Sequence, residues 1–230
     1  MRSVLITGAN RGIGLEFVRQ YAGDGWSVHA CCRNPKGANE LNGVDGDIIV
    51  HVLDVTDFER VKSLADELKE PLDIVIANAG VLANNVGAFG SLDYAAWNDA
   101  IKINLMGAVS ICEAFAPHVC KTRGKIAALS SMMGSISQLG VLDDPSGGAM
   151  GYRTSKTALN MAMKIIAGEL VASGVAVGVF NPGWVRTDMG GPTARMSVEA
   201  SVEGLRKLIN GMPVTDQPKF LDHAGQEIPW

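Results

Sequence analysis

Ser3-Val4-Leu5-Ile6-Thr7-Gly8-Ala9-Asn10-Arg11-Gly12-Ile13-Gly14 is the stretch whose reading decides the fold. The apolar run reads as a strand buried on both faces, and the glycines read as a turn that opens a helix over Gly12–Gly23. Gly8 allows a tight turn, Gly12 lets backbone N–H groups approach an anion, and Gly14 permits close packing of helix on strand. The start of such a helix faces the anion, and a pyrophosphate suits it. The spacing is G-x3-G-x-G rather than G-x-G-x-x-G, so the glycines alone leave an ordinary strand–helix turn open.

Working outward, the same alternation continues. Strands are expected at Ser27–Cys32, Asp47–Leu53, Leu72–Ala77, Lys125–Leu129 and Ala176–Phe180, with a short one around Lys219–Leu221. Helices are expected at Asp57–Lys69 (capped by Asp57), Tyr94–Lys121, Gly151–Ser173 and Ser197–Asn210. Apolar strands alternating with helices make an α/β protein: a doubly wound parallel sheet with helices on both faces. Without a repeat or linker, residues 1–230 read as a single domain carrying both cofactor and substrate sites.

Composition narrows the function classes. The net charge is −4, with both signs interspersed, which argues against nucleic acid as the main partner. No run of apolar residues is long enough for a membrane span, and the N-terminal stretch lacks a signal-peptide pattern. Cys31, Cys32, Cys112 and Cys120 have no metal or redox spacing, and His29, His51, His118 and His223 are scattered. A cytoplasmic protein with reduced thiols and no metal is expected. Cys31 and Cys32 should point to opposite faces of their strand.

Ligands of such a sheet bind beyond the carboxyl ends of its strands. Those ends carry the turn at residues 7–14, then Cys32-Arg33, Asp54-Val55, Asn78-Ala79-Gly80, Ser130-Ser131 and Pro182-Gly183-Trp184-Val185-Arg186-Thr187. An NAD enzyme places an acid after the second strand for the ribose hydroxyls; here stands Arg33. With Arg11 it suits a 2′-phosphate, so NADPH is favoured over NADH. Tyr152 and Lys156 lie four apart on one helix face. A tyrosine hydroxyl can give a proton to a carbonyl oxygen as hydride arrives at its carbon, helped by a nearby ammonium.

Thr7-Gly8-x3-Gly12-x-Gly14, Asp54, Asn78-Ala79-Gly80, Asn104, Ser131, Tyr152-x3-Lys156 and Pro182-Gly183, in this order, resemble the short-chain dehydrogenase/reductase family over nearly the whole chain. The resemblance implies a Rossmann-like sheet of about seven strands and a catalytic set of Asn104, Ser131, Tyr152 and Lys156. Ser131 would orient the substrate oxygen, Tyr152 act as general acid, Lys156 lower the tyrosine pKa, and Asn104 hold a water in a proton relay. The cofactor would be bound by Gly8, Asn10, Arg11, Gly12, Ile13, Gly14, Arg33, Asp54, Val55, Asn78, Ala79, Gly80, Tyr152, Lys156, Pro182, Gly183, Val185 and Thr187. Asn10-Arg11-Gly12, Pro182-Gly183-Trp184-Val185-Arg186-Thr187-Asp188-Met189 and Gly225-Gln226-x2-Pro229-Trp230 further resemble the carbonyl reductase/C-factor-like branch.

That branch implies reduction of an aldehyde or ketone. The alternatives are an NAD-dependent alcohol dehydrogenase, or a signalling protein that binds cofactor and turns over little. Relatives pair through the two long helices, so a homodimer or homotetramer is expected, with Ile228-Pro229-Trp230 docking on a neighbouring subunit. Ser131 and Tyr152 are 21 positions apart, wider than the family's dozen or so. The extra residues lie in 135–150, which is expected to shape the substrate pocket. Strand alternation allows only one of Ser130 and Ser131 to face the cleft.

Overall fold

A computed structural model describes residues 1–83, 86–140 and 149–230. Its strands are β1 (Ser3–Thr7), β2 (Ser27–Cys32), β3 (Ile48–Val52), β4 (Ile74–Ala77), β5 (Lys125–Leu129), β6 (Ala176–Asn181) and β7 (Phe220–Asp222). They form one parallel sheet in the order β3-β2-β1-β4-β5-β6-β7. The order reverses beside β1, and this places the ends of β1 and β4 at the switch point where ligands bind in such sheets.

The helices are α1 (Gly12–Gly23), α2 (Asn39–Asn42), α3 (Phe58–Glu67), α4 (Tyr94–Ile101), α5 (Ala108–Thr122), α6 (Met150–Leu170) and α7 (Val198–Asn210). Asp57 caps α3 by accepting a hydrogen bond from the Arg60 N–H, as expected. Alternating strand residues feed two cores. Leu5, Val75, Ile126 and Val177 pack with Leu64, Phe115 and Leu159 from α3, α5 and α6. Val4, Ile6, Ile74 and Ala127 pack with Phe17 and Tyr21 of α1 and Leu205 of α7. Cys31 joins the first core and Cys32 the second, so the two thiols do point to opposite faces.

Four features depart from the sequence reading. Burial on both faces fails at the edge strand β3, where Ile49 and Val52 are exposed. The long helix passes through a π-helical segment, Lys102–Gly107, between α4 and α5. Tyr94–Thr122 as a whole is long and apolar enough to cross a membrane; Ile111, Phe115 and Val119 on it pack into the core instead. Trp230, expected on a neighbouring subunit, docks on its own chain. Its ring stacks on Phe220 at 5.6 Å beneath the Lys164 ammonium, and its backbone oxygen accepts from Ser137.

Phe115 has no exposed surface and joins α5 to the sheet. Phe115→Ala is expected to lower the unfolding free energy by about 3–5 kcal/mol in urea denaturation. A loss below about 1 kcal/mol would contradict this packing.

Candidate active site

The turn after β1 is built from backbone constraints. Gly8 and Gly12 have positive φ angles of 66° and 53°. A Cβ at Gly14 would lie 2.1 Å from the Gly8 carbonyl oxygen, so no other residue fits there without moving the turn. Arg11 precedes α1 in an extended conformation, and no side chain caps the helix. The N–H groups of its first turn are left for an external anion, which fits a dinucleotide pyrophosphate. Asn10 is half-buried in the turn, and Ile13 packs against the core beneath β1.

The turn is tied to the end of β4. The Thr7 hydroxyl accepts from the N–H groups of Asn78 and Ala79, and Asn78 Nδ2 donates to the Thr7 carbonyl at 2.7 Å. The Asn78 amide thus holds the turn together rather than reaching into the cleft. Beyond the end of β3, Val55 is buried against Gly107. Burial pushes the Asp54 carboxyl up, but two hydrogen bonds from Thr56 and the charges of Arg33 and Lys102 outweigh it and leave it below its ordinary range. Arg33 is exposed and makes no ion pair among the described residues. Arg11 is paired with Asp188 at 3.0 Å.

That pair links the segment after β6 to the turn. Thr187 Cγ2 would meet a Cβ at Gly12 at 3.2 Å, Val185 is buried, and the Pro182 carbonyl accepts from Ser201. Gly183 has a φ of 84° against His223, which turns the chain back toward the cleft.

Tyr152, Lys156, Ser131 and Asn104 come together where α6 crosses the end of β5. The Ser131 hydroxyl faces the buried Tyr152 hydroxyl closely enough to favour its phenolate. Ser130 is engaged further along the helix, donating to Asn160 Oδ1 at 2.5 Å. The alternation left open by the sequence therefore puts Ser131 on the tyrosine side. Burial raises the Tyr152 phenol above its ordinary range, and the Ser131 hydrogen bond opposes the rise. The expected acidifying partner was Lys156, but its Nζ sits 5.8 Å from the tyrosine ring centroid and donates to the Leu129 carbonyl at 2.7 Å. Burial lowers Lys156 itself to about 8.

Asn104, in the π-helical segment, has no exposed surface. Its Oδ1 accepts from the Val81 N–H, and its Nδ2 donates to the Val81 carbonyl and to Ser155 Oγ. The side chain so used pins the segment after β4 to α6, with both amide donors engaged. A Cβ at Gly80 would lie 3.1 Å from Asn104 Oδ1 and 3.6 Å from Lys156 Nζ, so glycine is what lets this segment approach.

Sequence reasoning missed Ser155 and Asn160. Both lie on α6 within two turns of Tyr152, and their place beside the Tyr-x3-Lys pair was the available signal. Of the 135–150 stretch, residues 141–148 lie outside the described residues, and with them most of the expected pocket-shaping segment.

The short chain dehydrogenase family model matches residues 2–197, and the chain belongs to that family. It is 36% identical to the C-signal of Myxococcus xanthus over 161 residues, which covers 70% of this chain and 93% of that protein. Among solved structures, an NADPH-bound carbonyl reductase from chicken fatty liver superposes with a TM-score of 0.92 at 30% identity, over 100% of this chain and 99% of that one. The carbonyl reductase Sniffer of D. melanogaster superposes at 0.91 and 26% identity over the full length of both chains.

Two outcomes follow from this geometry. Gly14→Ala is expected to weaken NADPH binding more than tenfold, read by quenching of protein fluorescence, because the added Cβ displaces the Gly8 carbonyl. Lys156 binds its proton less well folded than unfolded, so stability rises with pH between about 8 and its ordinary 10.5. Lys156→Met should therefore be about 2–3 kcal/mol more stable than the wild type at pH 7. In urea denaturation that margin should shrink as pH rises through this window; a less stable variant at pH 7 would contradict the burial cost.

Proposed function

We propose that the chain is an NADPH-dependent oxidoreductase that reduces an aldehyde or ketone to an alcohol. The observation that carries this reading is the buried Tyr152 hydroxyl, faced by Ser131 and flanked by Lys156, in a sheet whose first helix start is uncapped. When bound, NADPH supplies the hydride. The substrate oxygen takes a hydrogen bond from Ser131 and the proton from Tyr152 Oη. Lys156 faces the tyrosine ring with a readily lost proton, which suits it to restoring the phenol between turnovers. Asn104 holds residues 80–81 against α6, which keeps the wall of the cleft beside Lys156 in place.

The pyrophosphate would be held by the 8–14 turn and α1, the adenine by Asp54 and Val55, and the nicotinamide by Pro182, Gly183, Val185 and Thr187. Arg33, near Asp54 and without an ion pair among the described residues, suits the 2′-phosphate, with Arg11 exchanging Asp188 for it. The NADPH named for the chicken structure supports this choice. Exposed Met106, Met161 and Ile165 on the two long helices suit burial in a homodimer or homotetramer. Four free cysteines suit the cytoplasm.

The identity with C-signal favours one second reading, a signalling protein that binds cofactor and turns over little. Steady-state NADPH oxidation over a panel of aldehydes and ketones separates the two. Tyr152→Phe is expected to lower kcat at least a hundredfold and leave the NADPH Kd within about twofold; unchanged turnover would overturn the mechanism. Arg33→Asp is expected to weaken NADPH binding more than tenfold and NADH binding little, by titration calorimetry. Equal effects would remove the cofactor assignment.

A further inference from the structure

Ser131 sits at the start of a short 3-10 turn, Met132–Gly134, and its Oγ accepts from the Met133 N–H. The residues on either side of Ser131 and of this turn are fastened to α6. Ser130 Oγ donates to Asn160 Oδ1 at 2.5 Å, and Asn160 Nδ2 donates to the Gly134 carbonyl at 3.3 Å. The same carbonyl accepts from Thr157 Oγ1 at 2.9 Å. The turn lies flush on the helix, since a Cβ at Gly134 would come within 2.8 Å of Lys156 Cβ. Ser130 and Asn160 are each 3% exposed. Two small apolar residues would fill this space without desolvating two polar groups, so the pair does more than occupy volume: a hydrogen bond fixes direction where apolar contact does not.

We propose that Asn160 is a positioning residue: by gripping Ser130 and the Gly134 carbonyl, it holds the turn at the height on α6 where the Ser131 hydroxyl meets Tyr152. The inference rests on Tyr152 being the proton donor. Asn160 stands two helical turns beyond Tyr152 and one beyond Lys156, so one face of α6 carries the donor, the amine and the clamp. Around the phenol, among the described residues, the ionisable group facing it is Lys156 on its own helix, and the hydroxyl just beyond β5 is that of Ser131. Loosening the clamp weakens the Ser131 contact, which opposes the rise of the phenol, and Tyr152 then titrates higher.

The test is Ser130→Ala/Asn160→Leu. It replaces both partners with apolar groups and leaves the Gly134 carbonyl its bond from Thr157, so the fold is expected to survive with a near-normal Tm. Two readouts follow. The first is kcat at saturating substrate, expected to fall about tenfold with the KM for NADPH within about twofold. The second needs no cofactor or turnover: the protein is labelled with meta-fluorotyrosine and its three tyrosines are followed by fluorine NMR. The Tyr152 resonance, assigned by its loss in Tyr152→Phe, is expected to shift and to titrate at higher pH than in the wild type. Ser130→Thr keeps the hydroxyl and should restore both readouts.

A double variant with unchanged kcat and an unchanged Tyr152 resonance overturns the inference. If it fails to fold, Ser130→Ala alone decides by the same two readouts. If wild-type protein reduces no carbonyl, the functional reading fails, and the fluorine titration still decides whether Asn160 sets the Ser131–Tyr152 contact.

Discussion

Lys156 carries its amine into the body of the protein and gives its hydrogen bond to a strand carbonyl, that of Leu129. A buried ammonium is costly, and the amine answers by losing basicity. In return it fixes α6 over the end of β5. Tyr152 lies one turn back along the helix, and Ser131 lies just beyond the strand. The lysine's bond to a backbone oxygen thus holds the helix that carries the phenol against the strand that leads to the serine. Gly80 on β4's side and Gly134 on β5's side lack side chains where one would press on this lysine.

The fold was legible because parallel strands leave a plain record. β1, β2, β5 and β6 are apolar runs that end in glycine, asparagine, serine or arginine, and their limits lie within one residue of those read from the sequence. Asp57 announced α3 as a cap. The edge strand β3 misled because an apolar run looks the same whether one neighbour or two lie beside it. The π-helical segment left no mark, since one extra residue in a turn does not disturb a long apolar pattern.

The candidate site was legible as a set of residues and much less as a set of contacts. Tyr152, Lys156 and Ser131 converge as read. What each side chain touches depended on distances that spacing does not encode. Asn104 and Asn78 look like cleft residues in a sequence, yet both spend their amides on backbone groups that hold the cleft's walls. Arg11 and Arg33 look alike, yet one is paired with Asp188 and the other is unpaired among the described residues. His29 and His51 read as scattered, yet adjacent strands bring their rings within 3.0 Å, and burial holds both imidazoles below their ordinary range.

The Arg11–Asp188 pair joins positions 177 apart along the chain. During synthesis the first of them leaves the ribosome early and the second late. A nascent chain ending after β5 already has five of the seven strands, with the glycine turn in place, but nothing to lie across it. The segment that lies across the glycine turn is thus supplied in the last quarter of translation, after most of the sheet has been made.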